Sequence, residues 1–237
     1  MNMDRKFFLI AVAGGHGTRM GAPVPKQFLS LGGKTILRMT MERFIDACPG
    51  IRIITVLPKG QATAWKRICA AENFNYPQTI VQGGFTRFHS VKNALAKVPD
   101  GAVVAIHDGV RPLVGEKLVR KMFSSMSETC RALIPVMPSV DSLKVLDRER
   151  TANGEVLVEA PEKVDRSRIW AAQTPQVFLS EDIKAAYDRP FDPSFTDDAS
   201  VASAMKIPLS FIEGERFNIK ITSPGDLALA EAILKLS

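Results

Sequence analysis

The sequence predicts an α/β protein built on a doubly wound, Rossmann-like sheet, mostly parallel, with helices on both faces and a β-arm projecting from it. Short apolar runs at 7–12, 51–57, 79–82, 102–107 and 132–137 are rich in branched residues and too short for typical helices, as strands covered on both faces must be. Helix-like stretches at 35–47, 61–71, 88–97 and 116–128 alternate with them, and such alternation is the signature of parallel crossover units. The first run also leads directly into Ala13-Gly14-Gly15-His16-Gly17-Thr18-Arg19-Met20-Gly21, a glycine-rich turn at the place where these sheets bind ligands.

Each element follows from its residues. Gly32-Gly33-Lys34-Thr35 copies the end of a nucleotide-binding P-loop, but Phe28 stands where that motif needs its first glycine; the segment reads as a tight turn in which Thr35 caps the helix at 35–47. After Pro138 the rhythm changes. Runs at 141–146 and 155–158 flank a polar stretch containing Asn153-Gly154, a hairpin signal, which places an arm at about 138–160. The chain resumes with a strand at 169–172, helices at 181–187 and 197–205, strands at 208–212 and 218–221, and a helix at 224–236 opened by Ser223 and Pro224. No internal repeat or linker interrupts it, so residues 1–237 read as one domain with an arm.

Composition excludes several classes. At 237 residues, with 46% hydrophobic and 24% charged, the chain is an ordinary globular one rather than disordered or fibrous. Lys plus Arg exceed Asp plus Glu by 31 to 25, a formal +6, which favours anionic partners. The basic residues are spread rather than clustered, and there are only 2 Trp and 2 Tyr, so small polyphosphates fit better than nucleic acid. Cys48, Cys69 and Cys130 are odd in number and far apart, which gives neither a disulfide framework nor a zinc site and points to a reducing cytoplasm. Arg5 and Lys6 before the apolar run at 7–13 imitate a secretory signal, yet cleavage there would remove the start of the glycine turn. No stretch approaches the ~18–20 apolar residues that a membrane span needs.

The chemistry concentrates at strand ends. The dinucleotide pattern G-x-G-x-x-G begins at Gly15 and Gly17 but meets Met20 at its third glycine, which weakens a nicotinamide reading. Arg19 and Lys26 lie in a loop punctuated by Pro23 and Pro25, and two cations beside a phosphate cradle can offset the charge of a phosphoryl group in transfer. His107-Asp108-Gly109-Val110-Arg111-Pro112 puts a carboxylate just past a strand, where it either holds Mg²⁺ against phosphate oxygens or merely opens a turn. Gly83-Gly84, Arg87 and Ser90 follow another strand toward the same crevice. Asp165-Arg166, Gln173-Thr174-Pro175-Gln176, Thr196-Asp197-Asp198 and Asn218-Ile219-Lys220 add polar groups that serve equally as surface or capping residues. His16, His89 and His107 show neither metal-ligand spacing nor a triad. A substrate phosphate, already ionised near neutral pH, would make a protein nucleophile unnecessary.

In this order, these motifs resemble the 2-C-methyl-D-erythritol 4-phosphate cytidylyltransferase family over nearly the whole chain. The resemblance implies a cytoplasmic enzyme of non-mevalonate isoprenoid biosynthesis that uses CTP and Mg²⁺ and releases pyrophosphate. It implies Arg19 and Lys26 as catalytic, Ala13, Gly14, Gly15, Gly17, Gly84, Ser90 and Asp108 around the nucleotide, and Asp108 on the metal. Gly84 and Ser90 would read cytosine. Arg111, Ser142, Arg166, Thr174 and Lys220 would bind the second substrate, with the arm exchanged in a homodimer and bringing Ser142 and Arg111 to the interface. Two residues depart from the family. Phe85 follows Gly84 where an acidic or polar residue is common, and Phe217 precedes Asn218 where some members are acidic, which leaves base recognition mainly to backbone groups and the metal mainly to Asp108 and the phosphates. Three rivals stand beside this reading: a ribitol 5-phosphate cytidylyltransferase, a sugar-1-phosphate nucleotidylyltransferase and a non-catalytic nucleotide-binding regulator. Thr196 to Ser200 and Asp165-Arg166 favour methylerythritol phosphate.

Overall fold

The computed structural model describes residues 5–15, 24–151 and 154–236. In chain order it contains β1 (Phe7–Val12), a one-turn 3-10 helix (Lys26–Phe28), a small hairpin of β2 (Ser30–Leu31) and β3 (Lys34–Thr35), and α1 (Ile36–Ala47). Then come β4 (Arg52–Leu57), α2 (Ala62–Ala71), β5 (Gln78–Gln82), α3 (Arg87–Leu95), β6 (Val103–Asp108), α4 (Glu116–Ser125) and β7 (Ala132–Pro138). The arm is β8 (Leu146–Thr151) with β9 (Gly154–Glu159); β10 (Trp170–Ala172), β11 (Gln176–Leu179), α5 (Ser180–Tyr187), α6 (Asp198–Ala204), β12 (Ser210–Glu213) and α7 (Pro224–Leu234) complete the chain.

β1 sits between β4 and β6, parallel to both, and β5 extends the sheet from β4. The central runs are apolar, apart from Arg52, Thr55 and the closing His107-Asp108, because both faces are covered. Leu9, Ala11, Ile53 and Ala105 meet Leu37, Met41 and Phe44 of α1 and Leu118 and Met122 of α4. On the opposite face Phe8, Ile10, Val56 and Ile106 meet Phe88 and Val91 of α3 and Ile183 and Tyr187 of α5. Burial of such side chains is worth about 1.5–3 kcal/mol each, so these two layers hold the sheet rigid. Register sets the site: Val12 pairs with Asp108, Val12 with Val56, and Leu57 with Gln82. The glycine turn, Gly83-Gly84 and Asp108 therefore emerge from one carboxyl edge.

Three sequence expectations are corrected, and one strand was not foreseen. β11 pairs antiparallel with β6 and β7, and β10 antiparallel with β7; a run this short directly after Pro175 carries little strand signal. Residues 218–221 form no strand: β1 and β11 already pair with β6, and the segment instead crosses the loop after β6, with Ile221 N donating to Val110 O. The arm's first strand is Leu146–Thr151 rather than 141–146, because pairing runs back from Thr151↔Gly154 to Leu146↔Glu159; Asn153 lies outside the described residues. Thr35 occupies the N-cap position of α1, but its hydroxyl is bonded to the Glu72 carboxylate instead. Among the described residues no helix is long and apolar enough to cross a membrane.

Candidate active site

The described part of the glycine turn begins as a continuation of the sheet, with Ala13 N donating to Val56 O at 2.9 Å. Gly14 then passes against α3, where an added Cβ would lie 3.2 Å from Ser90 Oγ. Gly84 is more confined, since its Cβ would collide with that of His89. Its N–H donates to Ser90 Oγ at 3.0 Å, while the Ser90 hydroxyl donates to Thr86 O at 2.9 Å. Thr86 in turn caps α3. Ser90 thus joins the two glycine segments, and its hydroxyl, its proton already committed, has acceptor capacity to offer a base. Phe85 is fully exposed beside them, its ring edge-on to His89. Gly17 and Arg19 lie outside the described residues, as does His16.

Asp108 closes β6 and gathers cations. Lys220 Nζ lies 3.1 Å and Arg111 Nε 3.2 Å from its Oδ2, and Arg87 Nε 3.7 Å from its Oδ1. Burial pushes the Asp108 pKa up, but the positive charges of Arg87, Lys220 and Arg111 outweigh it and hold the carboxyl well below the usual range. It is ionised at any physiological pH. The two guanidinium groups are themselves braced. Arg87 forks onto Asp198 at 2.8 and 2.6 Å, and Tyr187 OH donates to the same carboxylate at 2.6 Å. Arg111 Nη1 donates to Asn218 O at 2.7 Å. Thr174 Oγ1 accepts from Asp108 N at 3.1 Å, and Asn218 Nδ2 donates to Thr174 O at 2.8 Å. The Thr174–Pro175 peptide is cis.

The fourth described cation, Lys26, reaches Ile221 O at 3.1 Å, so the 218–221 segment touches Lys26, Arg111 and Asp108 together. His107 is wholly buried, and burial lowers its pKa to about 4. It is therefore neutral at physiological pH and donates from Nε2 to Arg111 O at 3.1 Å, a structural bond rather than a proton relay. Asp108 thus stands among two guanidinium groups and one ammonium, with Arg87 shared with Asp198, a surplus of positive charge that can receive an anion. Among the described residues no three His, Cys, Asp or Glu side chains gather to hold a metal. Two cavities of about 560 and 580 Å³ lie elsewhere, one against α1 and α7 and one at the opposite edge of the sheet, and neither is lined by this cluster.

The structure thus brings together Ala13, Gly14 and Gly15 with Gly84 and Ser90, and Asp108 with Arg111, Thr174 and Lys220. Ser142 lies exposed before β8, and Arg166 sits in a one-turn helix, with Nη1 donating to Val140 O at 3.0 Å. Among the described residues neither bonds to the Asp108 cluster within the chain. Arg111 belongs to the loop after β6, not to the arm, and its bonds to Asp108 and Asn218 lie inside one chain. Sequence reasoning missed the Arg87–Asp198 pair, which spans 111 positions, and Gln27, whose buried amide had no local signal.

The model of the family described as "IspD: 2-C-methyl-D-erythritol 4-phosphate cytidylyltransferase" matches residues 7–236. The chain belongs to this cytidylyltransferase family. It is 45% identical over 226 residues to the family member of Bacteroides thetaiotaomicron, covering 95% of this chain and 98% of that one. To the protein of Bacteroides fragilis it is 44% identical, with the same coverage of each. Among solved structures it is similar to the 4-diphosphocytidyl-2C-methyl-D-erythritol synthase of Anaerococcus prevotii, with TM-score 0.76 and 28% identity over 98% of this chain and 96% of that one. The cytidylyltransferase of Thermus thermophilus gives TM-score 0.70 and 28% identity over 98% and 99%. The sheet and its helices are therefore the cytidylyltransferase fold.

Proposed function

We infer that the protein joins CTP and 2-C-methyl-D-erythritol 4-phosphate, giving 4-diphosphocytidyl-2-C-methyl-D-erythritol and pyrophosphate in non-mevalonate isoprenoid biosynthesis. Family membership supports the substrates, and the single structural observation that carries the reading is the cationic cluster around Asp108 at the edge where the glycine turn emerges. An oxygen of the sugar phosphate attacks the α-phosphorus of CTP; the bond from that phosphorus to the bridging oxygen breaks, and pyrophosphate leaves with the electron pair. No general base is required, because the nucleophile is already an anion, and neutral, internally bonded His107 does not supply one.

The chain's work is position and charge. Ala13, Gly14, Gly15 and Gly17 line the nucleotide, Gly84 and Ser90 meet cytosine, and Arg19 and Lys26 offset charge at the α-phosphate. Arg111, Thr174 and Lys220 receive the sugar phosphate. Mg²⁺ fits as an ion carried mainly by the phosphates, with Asp108 the carboxylate among the described residues that would hold it, as this cation's preference for water and phosphate ligands allows. When bound it supplies charge neutralisation on the phosphate oxygens. The arm leaves Val140, Leu146 and Leu157 exposed, and Trp170 of β10 is exposed as well, apolar surface suited to a second copy of the chain; a homodimer in the cytoplasm would bring Ser142 and Arg166 to the partner's site. Pyrophosphate release tests the reading: with CTP and Mg²⁺, release should require methylerythritol phosphate. Preference for ribitol 5-phosphate or a hexose 1-phosphate would overturn the substrate assignment, and CTP binding without release would make the protein a regulator.

A further inference from the structure

We propose that Gln27 is a positioning residue for the transfer: its buried amide holds the glycine turn in the shape that receives CTP and, from the same helical turn, sets Lys26. The inference rests on the reading of that turn as the nucleotide site. Gln27 is 1% exposed, and a side-chain amide so deeply buried must find partners inside the protein. It finds them across the site. Nε2 donates to Ala13 O at 2.8 Å and to Gly15 O at 3.4 Å, the carbonyls on either side of Gly14. Because the peptide is planar and trans, drawing the Ala13 carbonyl toward Gln27 directs the Gly14 N–H the opposite way. Turned carbonyls on one side and N–H groups on the other are what make a glycine turn an anion cradle.

The same residue ties this cradle to the lysine. Residues Lys26–Phe28 form a single 3-10 turn. Its far end is anchored by Phe28, whose ring stacks on Trp65 at 5.8 Å and 7°. Its near end carries Lys26, with Nζ at Ile221 O. Gln27 lies between them and reaches the other way, so a change in its two bonds moves the cradle relative to Lys26. A residue that only filled space would have no reason to place a donor between two carbonyls of the nucleotide turn.

The test compares the full-length protein with Gln27→Leu, which keeps close to the size and removes both donor and acceptor of the amide, and Gln27→Met, which removes the donor while keeping an unbranched side chain. Titration calorimetry with CTP and Mg²⁺, on variants whose circular dichroism matches the parent, should show affinity falling about tenfold or more, the loss expected for hydrogen bonds left unmade. Steady-state assays should show the KM for CTP rising in step and kcat falling with Lys26 displaced, while the KM for the sugar phosphate stays within about twofold. A role confined to stability would reduce the active fraction and leave both KM values in place. Folded variants that bind CTP within about twofold of the parent would overturn the proposal alone. Failure of the parent to bind CTP would overturn the nucleotide reading and the proposal together.

Discussion

Asp108→Asn separates the two tasks assigned to Asp108, since it keeps the shape and removes the charge. The carboxylate contacts Lys220 at 3.1 Å and Arg111 at 3.2 Å, and at an effective dielectric near 20 each pair is worth about 5 kcal/mol of bare Coulomb attraction. Most of that does not survive. The Lys220 side chain is 42% exposed, so water replaces the carboxylate and its share falls to about 0–1 kcal/mol. The Arg111 side chain is only 14% exposed, and stripping a partner from a buried ion costs about 3–5 kcal/mol. Asn returns a neutral acceptor, and Arg111 keeps its bond to Asn218 O, so the net loss is about 2 kcal/mol. At about 2–4 °C per kcal/mol for a domain of this size, the melting temperature should fall about 4–8 °C. Added pyrophosphate should raise the melting temperature of Asp108→Asn more than that of the parent, because the freed cations take the anion as their counter-charge. Turnover should drop about 10²–10³-fold while CTP binding persists. Differential scanning fluorimetry with and without pyrophosphate, beside a pyrophosphate-release assay, reads all three. A variant more stable than the parent, or one with parental turnover, would show that the Asp108 charge does neither job.

Further outcomes follow from other residues. Arg19→Ala and Lys26→Ala should each lower kcat about 10²–10³-fold or more with circular dichroism unchanged, and near-parental rates in both would remove their catalytic roles. Gly84→Ala places a methyl group against the His89 Cβ; displacing the start of α3 should raise the KM for CTP at least about tenfold, a loss of about 1.4 kcal/mol in binding, and an unchanged KM would detach Gly84 from the nucleotide. Asp226 is held down to about 2 from 3.8, first by the Thr222 hydroxyl and against a smaller cost of burial. A depressed carboxylate stabilises the fold fully above its unfolded pKa and loses that contribution as pH falls through the folded one. The stability gap between the parent and Asp226→Asn in urea melts should therefore be constant above about pH 5 and close toward pH 2; a gap that widens on acidification would contradict the assignment.

The central sheet was legible because strands covered on both faces must be mainly apolar, as β1, β4 and β6 are apart from Arg52, Thr55 and the closing His107-Asp108. The placement of Gly14, Gly84 and Asp108 at one edge of the sheet was legible because each directly follows or closes an apolar run. β11 was not, since its few residues follow a proline and gain their strand geometry only from β6 and β7. The 218–221 segment was expected as a strand, yet it runs as a connection with Asn218 and Ile221 buried and Lys220 turned to Asp108. Arg87 was flagged by position, but its carboxylate partner lies on another helix far along the chain, a contact no local pattern encodes. Gln27 is the extreme case: nothing in Pro25-Lys26-Gln27 announces that the amide faces inward.

The chain supplies charge and position but no nucleophile, and isotope exchange puts that to the test. Labelled pyrophosphate, incubated with the protein, CTP and Mg²⁺, should leave CTP unlabelled unless 4-diphosphocytidyl-2-C-methyl-D-erythritol is present to run the transfer backward. Label entering CTP without any sugar phosphate would reveal a cytidylyl group held covalently by the protein, and would contradict direct attack by the substrate phosphate.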